Sequence, residues 1–264
     1  GKIPSILTEA MNYSLLAGGK RLRPVMFLKS YEAFSKAESD IMGFAMALEM
    51  VHTYSLIHDD LPGMDDDDFR RGKPSNHKKF GVGMAILAGD ALVSEAFELM
   101  SNTDNPNALR AVRYVSNKVG ARGMVAGQAI DLYENKALDF ETLRYIQERK
   151  TSDLFSAAIV SGAILAGADN EMQALAEEYS KAFGFAFQIT DDILDIVGNP
   201  MLMGKTLGKD DKENKLTLVS MYGIDRARQY AKEYCDRAIE LSACFGKNEG
   251  FFKSLAAMIL EREH

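Results

Sequence analysis

The chain of 264 residues has no tryptophan, only two cysteines and six prolines. Two cysteines make no disulfide framework, which suits a reducing compartment, and a cytoplasmic location is expected. If Cys235 and Cys244 share one helix, ~13 Å of rise separates them, too far for a bridge. Buried, inert thiols are the default reading. Long hydrophobic runs are missing too. The longest, residues 154–168, contains Ser156 and Ser161 and falls short of the about 20 apolar residues that span a bilayer. No membrane insertion is expected, and no signal peptide is visible. A basic excess is also absent: 31 Lys and Arg against 38 Asp and Glu leave a net charge of −7. That argues against a nucleic-acid binder, so any anionic substrate must be met by local basic clusters or by metal. There is no Gly/Ser- or Pro-rich linker, no low-complexity stretch and no repeat. One domain over residues 1–264 is therefore expected. Because the chain starts at Gly1 rather than Met, its natural N-terminus is expected to lie upstream.

What the sequence does have is helical period. Apolar residues recur at three- and four-residue spacing over residues 3–17, 22–33, 41–61, 85–100, 108–125, 154–168, 172–197, 224–244 and 251–260. Strand-like alternation is absent. Asn105-Pro106 reads as an N-cap followed by a first-turn proline, and Asp139 as the N-cap of a helix over residues 140–150. Asn199-Pro200 reads as a helix stop. With 47% hydrophobic residues for a core, the pattern predicts an all-α fold. The expected form is a single-domain bundle of roughly ten or more helices around a central cavity.

Two aspartate clusters sit inside this apolar pattern. Asp59-Asp60-Leu61-Pro62-Gly63-Met64-Asp65 follows Tyr54-Ser55-Leu56-Ile57, and Asp191-Asp192-Ile193-Leu194-Asp195 follows the run from Phe183 to Ile189. Charge runs are usually solvated faces, but they rarely lie within apolar helical sequence. Crowded carboxylates are costly unless a cation sits between them. Mg2+ is held by one or two carboxylates plus substrate phosphates. On a helix, His52, Ser55 and Asp59 fall on one stripe, and so do Gln188, Asp191, Asp192 and Asp195. Pro62 and Gly63 should end or kink the first helix and let Asp65 swing back toward Asp59. Two such clusters facing one cavity would clamp a diphosphate through bridging Mg2+.

Basic segments accompany the acids. Gly18-Gly19-Lys20-Arg21-Leu22-Arg23-Pro24 places three cations behind a glycine pair whose backbone can approach an anion closely. Arg70-Arg71-Gly72-Lys73-Pro74 follows the first acidic cluster. Adjacent arginines cannot both point one way on a helix, so they can serve two anions. The plainer alternative is an ion pair with the acids from Asp65 to Asp68. Lys150-Thr151 reads as the end of a helical segment. Gly204-Lys205, Gly208-Lys209-Asp210-Asp211 and Asn214-Lys215 read as a polar loop, either a lid over phosphates or ordinary surface.

These elements, in this order and over almost the whole chain, resemble the trans-prenyltransferases, the isoprenyl diphosphate synthases. Gly18–Pro24 looks like that family's homoallylic diphosphate site and Asp59–Asp65 like its first aspartate-rich motif in the longer form. Gly127-Gln128 with Asp131 looks like G-Q-x-x-D. Lys150-Thr151, Phe187-Gln188 and Asp191-Asp192-x-x-Asp195 complete the set. The first motif looks most like those of bacterial farnesyl and plant-type geranylgeranyl enzymes. The resemblance implies an isoprenoid synthase fold, a homodimer, and condensation of isopentenyl diphosphate with an allylic diphosphate. It implies three Mg2+ (or Mn2+) held by Asp59, Asp60, Asp65, Asp191, Asp192 and Asp195. Arg70, Lys150, Thr151, Gln188, Lys205 and Lys215 would bind the allylic diphosphate, and Lys20, Arg23, His52 and Arg71 isopentenyl diphosphate. Thr151 and Gln188 would direct oxygen dipoles at the allylic cation, so that Lys150, Thr151 and Gln188 form the catalytic set.

Residues just upstream of the first motif limit chain growth in this family. Tyr54, about one and a half turns (~7 Å) before Asp59, resembles the wall of farnesyl enzymes, while the small Ser55 would not block a tail. A C15 product is therefore expected, with a C20 geranylgeranyl product as the alternative. The sequence departs from the family at Ser152, where glycine is usual after Lys-Thr, at Val82, at Leu218-Val219, and at the terminal Arg262-Glu263-His264. Two other functions fit less of the pattern. A terpene cyclase usually alters the second motif, which is intact here. A non-catalytic regulatory subunit typically loses aspartates, and none is lost.

Overall fold

The apolar period becomes helix almost throughout. The computed structural model describes residues 2–35, 40–197 and 215–261. Its helices are α1 (Ser5–Leu15), α2 (Leu22–Phe34), α3 (Met42–Asp59), α4 (Asn76–Phe80), α5 (Val82–Ser101), α6 (Ala108–Val119), α7 (Met124–Leu132), α8 (Phe140–Ile146), α9 (Asp153–Leu165), α10 (Asn170–Val197), α11 (Leu218–Tyr222), α12 (Ile224–Leu241) and α13 (Glu249–Glu261). A π-helical stretch, Gln147–Ser152, joins α8 to α9, and a 3-10 stretch, Ser242–Asn248, joins α12 to α13. Among the described residues the extended structure is one short antiparallel ribbon, Phe69–Arg70 (β1) against Lys73–Pro74 (β2). The fold is all-α, as expected. No described helix is long and apolar enough to cross a membrane.

The chain groups into two compact units. In the first, which takes described residues 2–25 and 40–104, α3 packs along α5 with α1 beside both. Ile57, Leu61, Ala85 and Leu92 form its core, with Met50, Tyr54 and Met64 against them. Gly89 lets α5 come close: a Cβ there would collide with the His58 ring.

In the second unit, which takes described residues 26–35, 105–197 and 215–261, α9 is the axis. All its residues are buried, which is what a helix apolar on every side requires. Gly162 admits the close approach of α2, since a Cβ there would lie 2.6 Å from the Phe27 carbonyl oxygen. The Ser30 hydroxyl donates to the Ile159 carbonyl at 2.6 Å. Tyr179, Phe183, Phe245 and Phe252 stack and cross beside Phe155, and the Tyr179 hydroxyl donates to the Phe252 carbonyl at 2.8 Å. Cys235 and Cys244 are free thiols whose pKa burial pushes up to about 12.

Three boundaries differ from those expected. Residues 108–125 are not one helix: α6 stops at Val119, and a Cβ at Gly123 would collide with the Lys118 carbonyl. Asn105 is not the N-cap of α6. That position is Asn107, whose amide donates to the Asn105 side chain at 2.9 Å in an Asx turn. Nor does Lys150-Thr151 end a helix, because the backbone runs through it into α9. Asp139 does cap α8, its carboxylate accepting the Thr142 amide at 2.8 Å. Asn199-Pro200 lies outside the described residues. Truncating Phe183, 1% exposed within the aromatic cluster, tests this packing. Phe183→Ala should cost about 3–5 kcal/mol in chemical unfolding, and a loss below about 1 kcal/mol would contradict it.

Candidate active site

Within the first unit, α3 delivers the first acidic set at its carboxyl end. Pro62 cannot extend the helix and Gly63 takes φ +92°. The chain then doubles back until the Asp65 amide donates to the Asp59 carbonyl at 2.9 Å, the return that the Pro-Gly pair predicts. Carboxylates here face the negative end of the helix dipole, an unfavourable place for an anion. Asp60 is 2% exposed. Burial raises its pKa, and the Arg70 guanidinium opposes that rise. Arg70 Nε donates to Asp60 Oδ1 and Nη2 to Asp67 Oδ2, each at 2.9 Å. The plainer expectation for Arg70, a pair with a neighbouring acid, is therefore the geometry found.

Arg71 goes elsewhere. The two-residue turn Arg71-Gly72 has positive φ at both positions, +54° and +73°, as a type I′ hairpin requires. That turn sends the Arg71 guanidinium over Gly19, where a Cβ would lie 2.8 Å from its Cζ, and Nη1 donates to the Gly18 carbonyl. Arg21 donates to Glu49 Oε1 at 2.5 Å and to the Leu15 carbonyl at 2.8 Å. Glu49, 6% exposed and 4.0 Å from Arg71, was not singled out from the sequence. Its one signal there is a position three residues before His52 on the same helical stripe. Arg23 Nη1 lies 3.3 Å from His52 Nε2. Lys20 is exposed. Arg21, Asp66 and Arg71 are the non-glycine residues with positive φ among those described, and all three belong to these acidic and basic loops. Strain of this kind collects where a loop must hold a set shape.

Tyr54 is half-buried, edge-on to His58 with ring centroids 5.8 Å apart. Its phenol pKa is pushed up to about 12, by burial first and then by Asp59. The Ser55 hydroxyl donates to the His52 carbonyl at 2.9 Å.

Within the second unit, α10 carries Gln188, Asp191, Asp192 and Asp195, again near its carboxyl end. The side chains form a relay. Thr151 Oγ1 donates to Gln188 Oε1 at 2.7 Å, and Gln188 Nε2 donates to Asp192 Oδ1 at 2.8 Å. Gln147 Nε2 reaches Asp192 Oδ2 at 3.3 Å. Lys150 Nζ donates to Asp131 Oδ2 at 2.7 Å. Gly127 presses α7 onto this stretch: a Cβ there would collide with the Lys150 amide nitrogen. Ser152 lies against Gly184, whose Cβ would fall 2.7 Å from the Ser152 Cα. Lys215 is half-buried ahead of the Thr217 capping box of α11. Lys205, with the rest of the expected lid before Lys215, lies outside the described residues.

Among the described residues no three Asp, Glu, His or Cys side chains gather into a closed metal cage. Each acidic set instead offers a few carboxylate oxygens. That donor set fits a hard cation such as Mg2+, which completes its shell with water and phosphate.

The pKa of His52 is held well below its ordinary 6.5, by burial first and then by Arg23, Arg71, Arg70 and Arg21. The unfolded chain thus takes up a proton near 6.5 that the folded chain refuses. This site therefore subtracts stability as pH falls below 6.5 and contributes nothing above it. The His52 ring resonances should remain those of neutral imidazole at about pH 6, and His52→Gln should flatten the fall in stability below about pH 6.5. Full titration of His52 in the folded protein near 6.5 would contradict the geometry.

Residues 4–250 match the polyprenyl synthetase family. A farnesyl diphosphate synthase of Bacillus subtilis is 41% identical over 99% of this chain and 90% of its own length. A chloroplastic geranylgeranyl pyrophosphate synthase of Catharanthus roseus is 43% identical over 92% of this chain and 70% of its own. The crystal structure of a geranyltransferase from Helicobacter pylori, complexed with magnesium and isoprenyl diphosphate, superposes with a TM-score of 0.87. It is 32% identical, over 99% of this chain and 89% of that one. The acidic and basic sets thus lie in a sequence whose likeness to these proteins runs nearly end to end, and the chain belongs to the polyprenyl synthetase family.

Proposed function

We propose that this chain joins isopentenyl diphosphate head-to-tail to dimethylallyl or geranyl diphosphate, with Mg2+, and releases farnesyl diphosphate. The observation that carries the reading is two carboxylate sets, each at the carboxyl end of its helix, alongside several cations held on backbone and carboxylate oxygens. In this reading both units serve one catalytic domain. Bound Mg2+ would supply the Lewis-acid charge that lets diphosphate leave.

Asp59, Asp65, Asp191 and Asp195 would provide the metal-facing oxygens. Asp60 holds Arg70, and Asp192 is held by Gln147 and Gln188, so these two position their neighbours. Arg70, Lys150, Lys215 and Lys205 meet the allylic diphosphate. Arg71, Arg23 and Lys20 meet isopentenyl diphosphate, with His52 as the neutral acceptor that orients Arg23. The Thr151 hydroxyl proton is committed to Gln188, which leaves its lone pairs to face a carbocation. The allylic C–O bond breaks with its electron pair leaving on diphosphate. The alkene of isopentenyl diphosphate attacks the cation, and the resulting tertiary cation loses a proton to the released diphosphate. Electrostatic placement carries the rate, and no protein base is required.

Tyr54 supports the C15 product. Its ring packs against the set of Ile57, Leu61 and Leu92, below Asp59 on α3, as a wall to a growing tail. A homodimer and a cytoplasmic location belong to the same proposal. Val82, Ile86 and Leu87, exposed on α5, are an apolar face that a second copy would cover, and twice the chain mass in solution is expected.

Purified chain with Mg2+, isopentenyl diphosphate and geranyl diphosphate should yield a C15 product, and Tyr54→Ala should lengthen it. Unchanged products from that variant would remove Tyr54 as the ruler. A C20 product from the unaltered chain would favour the geranylgeranyl reading. Asp59→Ala and Asp191→Ala should each lower kcat by about 100-fold or more. Folded protein with no turnover would point to a regulatory subunit.

A further inference from the structure

Asp153, the first residue of α9, has no exposed surface and no part in either acidic set. Its Oδ1 accepts Lys118 Nζ of α6 at 2.8 Å, and its Oδ2 accepts Arg149 Nη1 of the π-helical stretch at 3.1 Å. Lys118, 7% exposed, also donates to Glu177 of α10 at 2.9 Å. Lys181 lies 3.4 Å from both Glu177 and Glu148. Four elements of the second unit therefore converge on a charge network, buried at Asp153 and Lys118 and open to solvent at its rim, just after Lys150-Thr151. Burial raises the Asp153 pKa, and Lys118 and Arg149 oppose it.

A buried ion pair is poor value as a source of stability, because apolar side chains of similar volume often do as well or better. What it supplies that apolar contact does not is direction. The π-helical stretch needs direction, since such segments are rare and persist where their surroundings over-determine them. Gly127 and Gly184 are steric and set where the backbone cannot go. Gln147 and Thr151 hydrogen-bond to Asp192 and Gln188 of α10. Asp153 pulls from the start of α9: it reaches back four residues to Arg149, across Lys150, Thr151 and Ser152, and outward to Lys118. With Arg149 drawn to Asp153, the adjacent Lys150 turns to another side of the stretch and meets Asp131.

We propose that Asp153, anchored by Lys118, is a positioning residue that locks the π-helical register aiming Lys150 and Thr151 at the allylic substrate. The identity of that substrate rests on the function proposed above; the lock itself does not.

The test uses the full chain, Asp153→Asn, and the apolar pair K118M/D153L. Three quantities are compared: melting temperature, hydrogen exchange of the amides at residues 147–152, and KM for each substrate. Asp153→Asn should speed exchange at 147–152 beyond any change elsewhere in α9 and α10. It should raise KM for geranyl diphosphate, or lower kcat, by about 10- to 100-fold, with KM for isopentenyl diphosphate within about 2-fold of the parent. The apolar pair should regain the parent's melting temperature without regaining its allylic kinetics. Recovery of both by the apolar pair, or unchanged exchange at 147–152 in Asp153→Asn, would overturn the proposal. A parent chain that turns nothing over would sink the prenyltransferase reading, while the exchange comparison would still decide the role of Asp153.

Discussion

Negative charge gathered at the negative end of a helix is the constraint on which the rest of this structure depends. Asp59 and Asp60 close α3, and Asp191, Asp192 and Asp195 fall in the last two turns of α10. That end of a helix is an unfavourable place for an anion, and burial raises the pKa of Asp60. Arg70 pairs with Asp60, and the neutral amides of Gln147 and Gln188 bond Asp192. Carboxylate oxygens gathered in this way suit a small, hard cation, and such a cation in turn attracts phosphate oxygens.

The opposite charge is organised by backbone geometry. Arg71 rests on Gly19, Arg21 is tied to Glu49, and both residues adopt left-handed φ. Long basic side chains lose considerable rotamer freedom when they grip an anion. Fixing them beforehand moves that loss from binding to folding. Burial first, and then the same crowd of guanidinium groups, holds the His52 pKa low.

The helices were legible because their apolar spacing is regular, and the acidic sets because carboxylates are conspicuous in apolar sequence. The break between α6 and α7 was not, because what forbids a side chain at Gly123 is the Lys118 carbonyl, a contact made only once the chain has turned. The π-helical stretch left no periodic trace, since it shifts register over six residues. The resemblance implied metal for both Asp59 and Asp60, and the sequence could not say which of two adjacent acids an arginine ten residues on would meet. Glu49 was not legible because its partners, Arg21 and Arg71, are 28 and 22 residues away in sequence and meet it only in the fold.

Ser152 and Gly184 share a volume with room for a single small side chain. Where glycine is usual after Lys-Thr, this chain carries a hydroxymethyl group, and α10 accommodates it by having no side chain at the facing position. A Cβ at 184 would meet the Ser152 Cα at 2.7 Å as well as its side chain, so glycine at 152 alone would not make room for one. Position 184 is therefore held to glycine by the path of the facing backbone, while the hydroxymethyl group at 152 is tolerated only because 184 has no side chain.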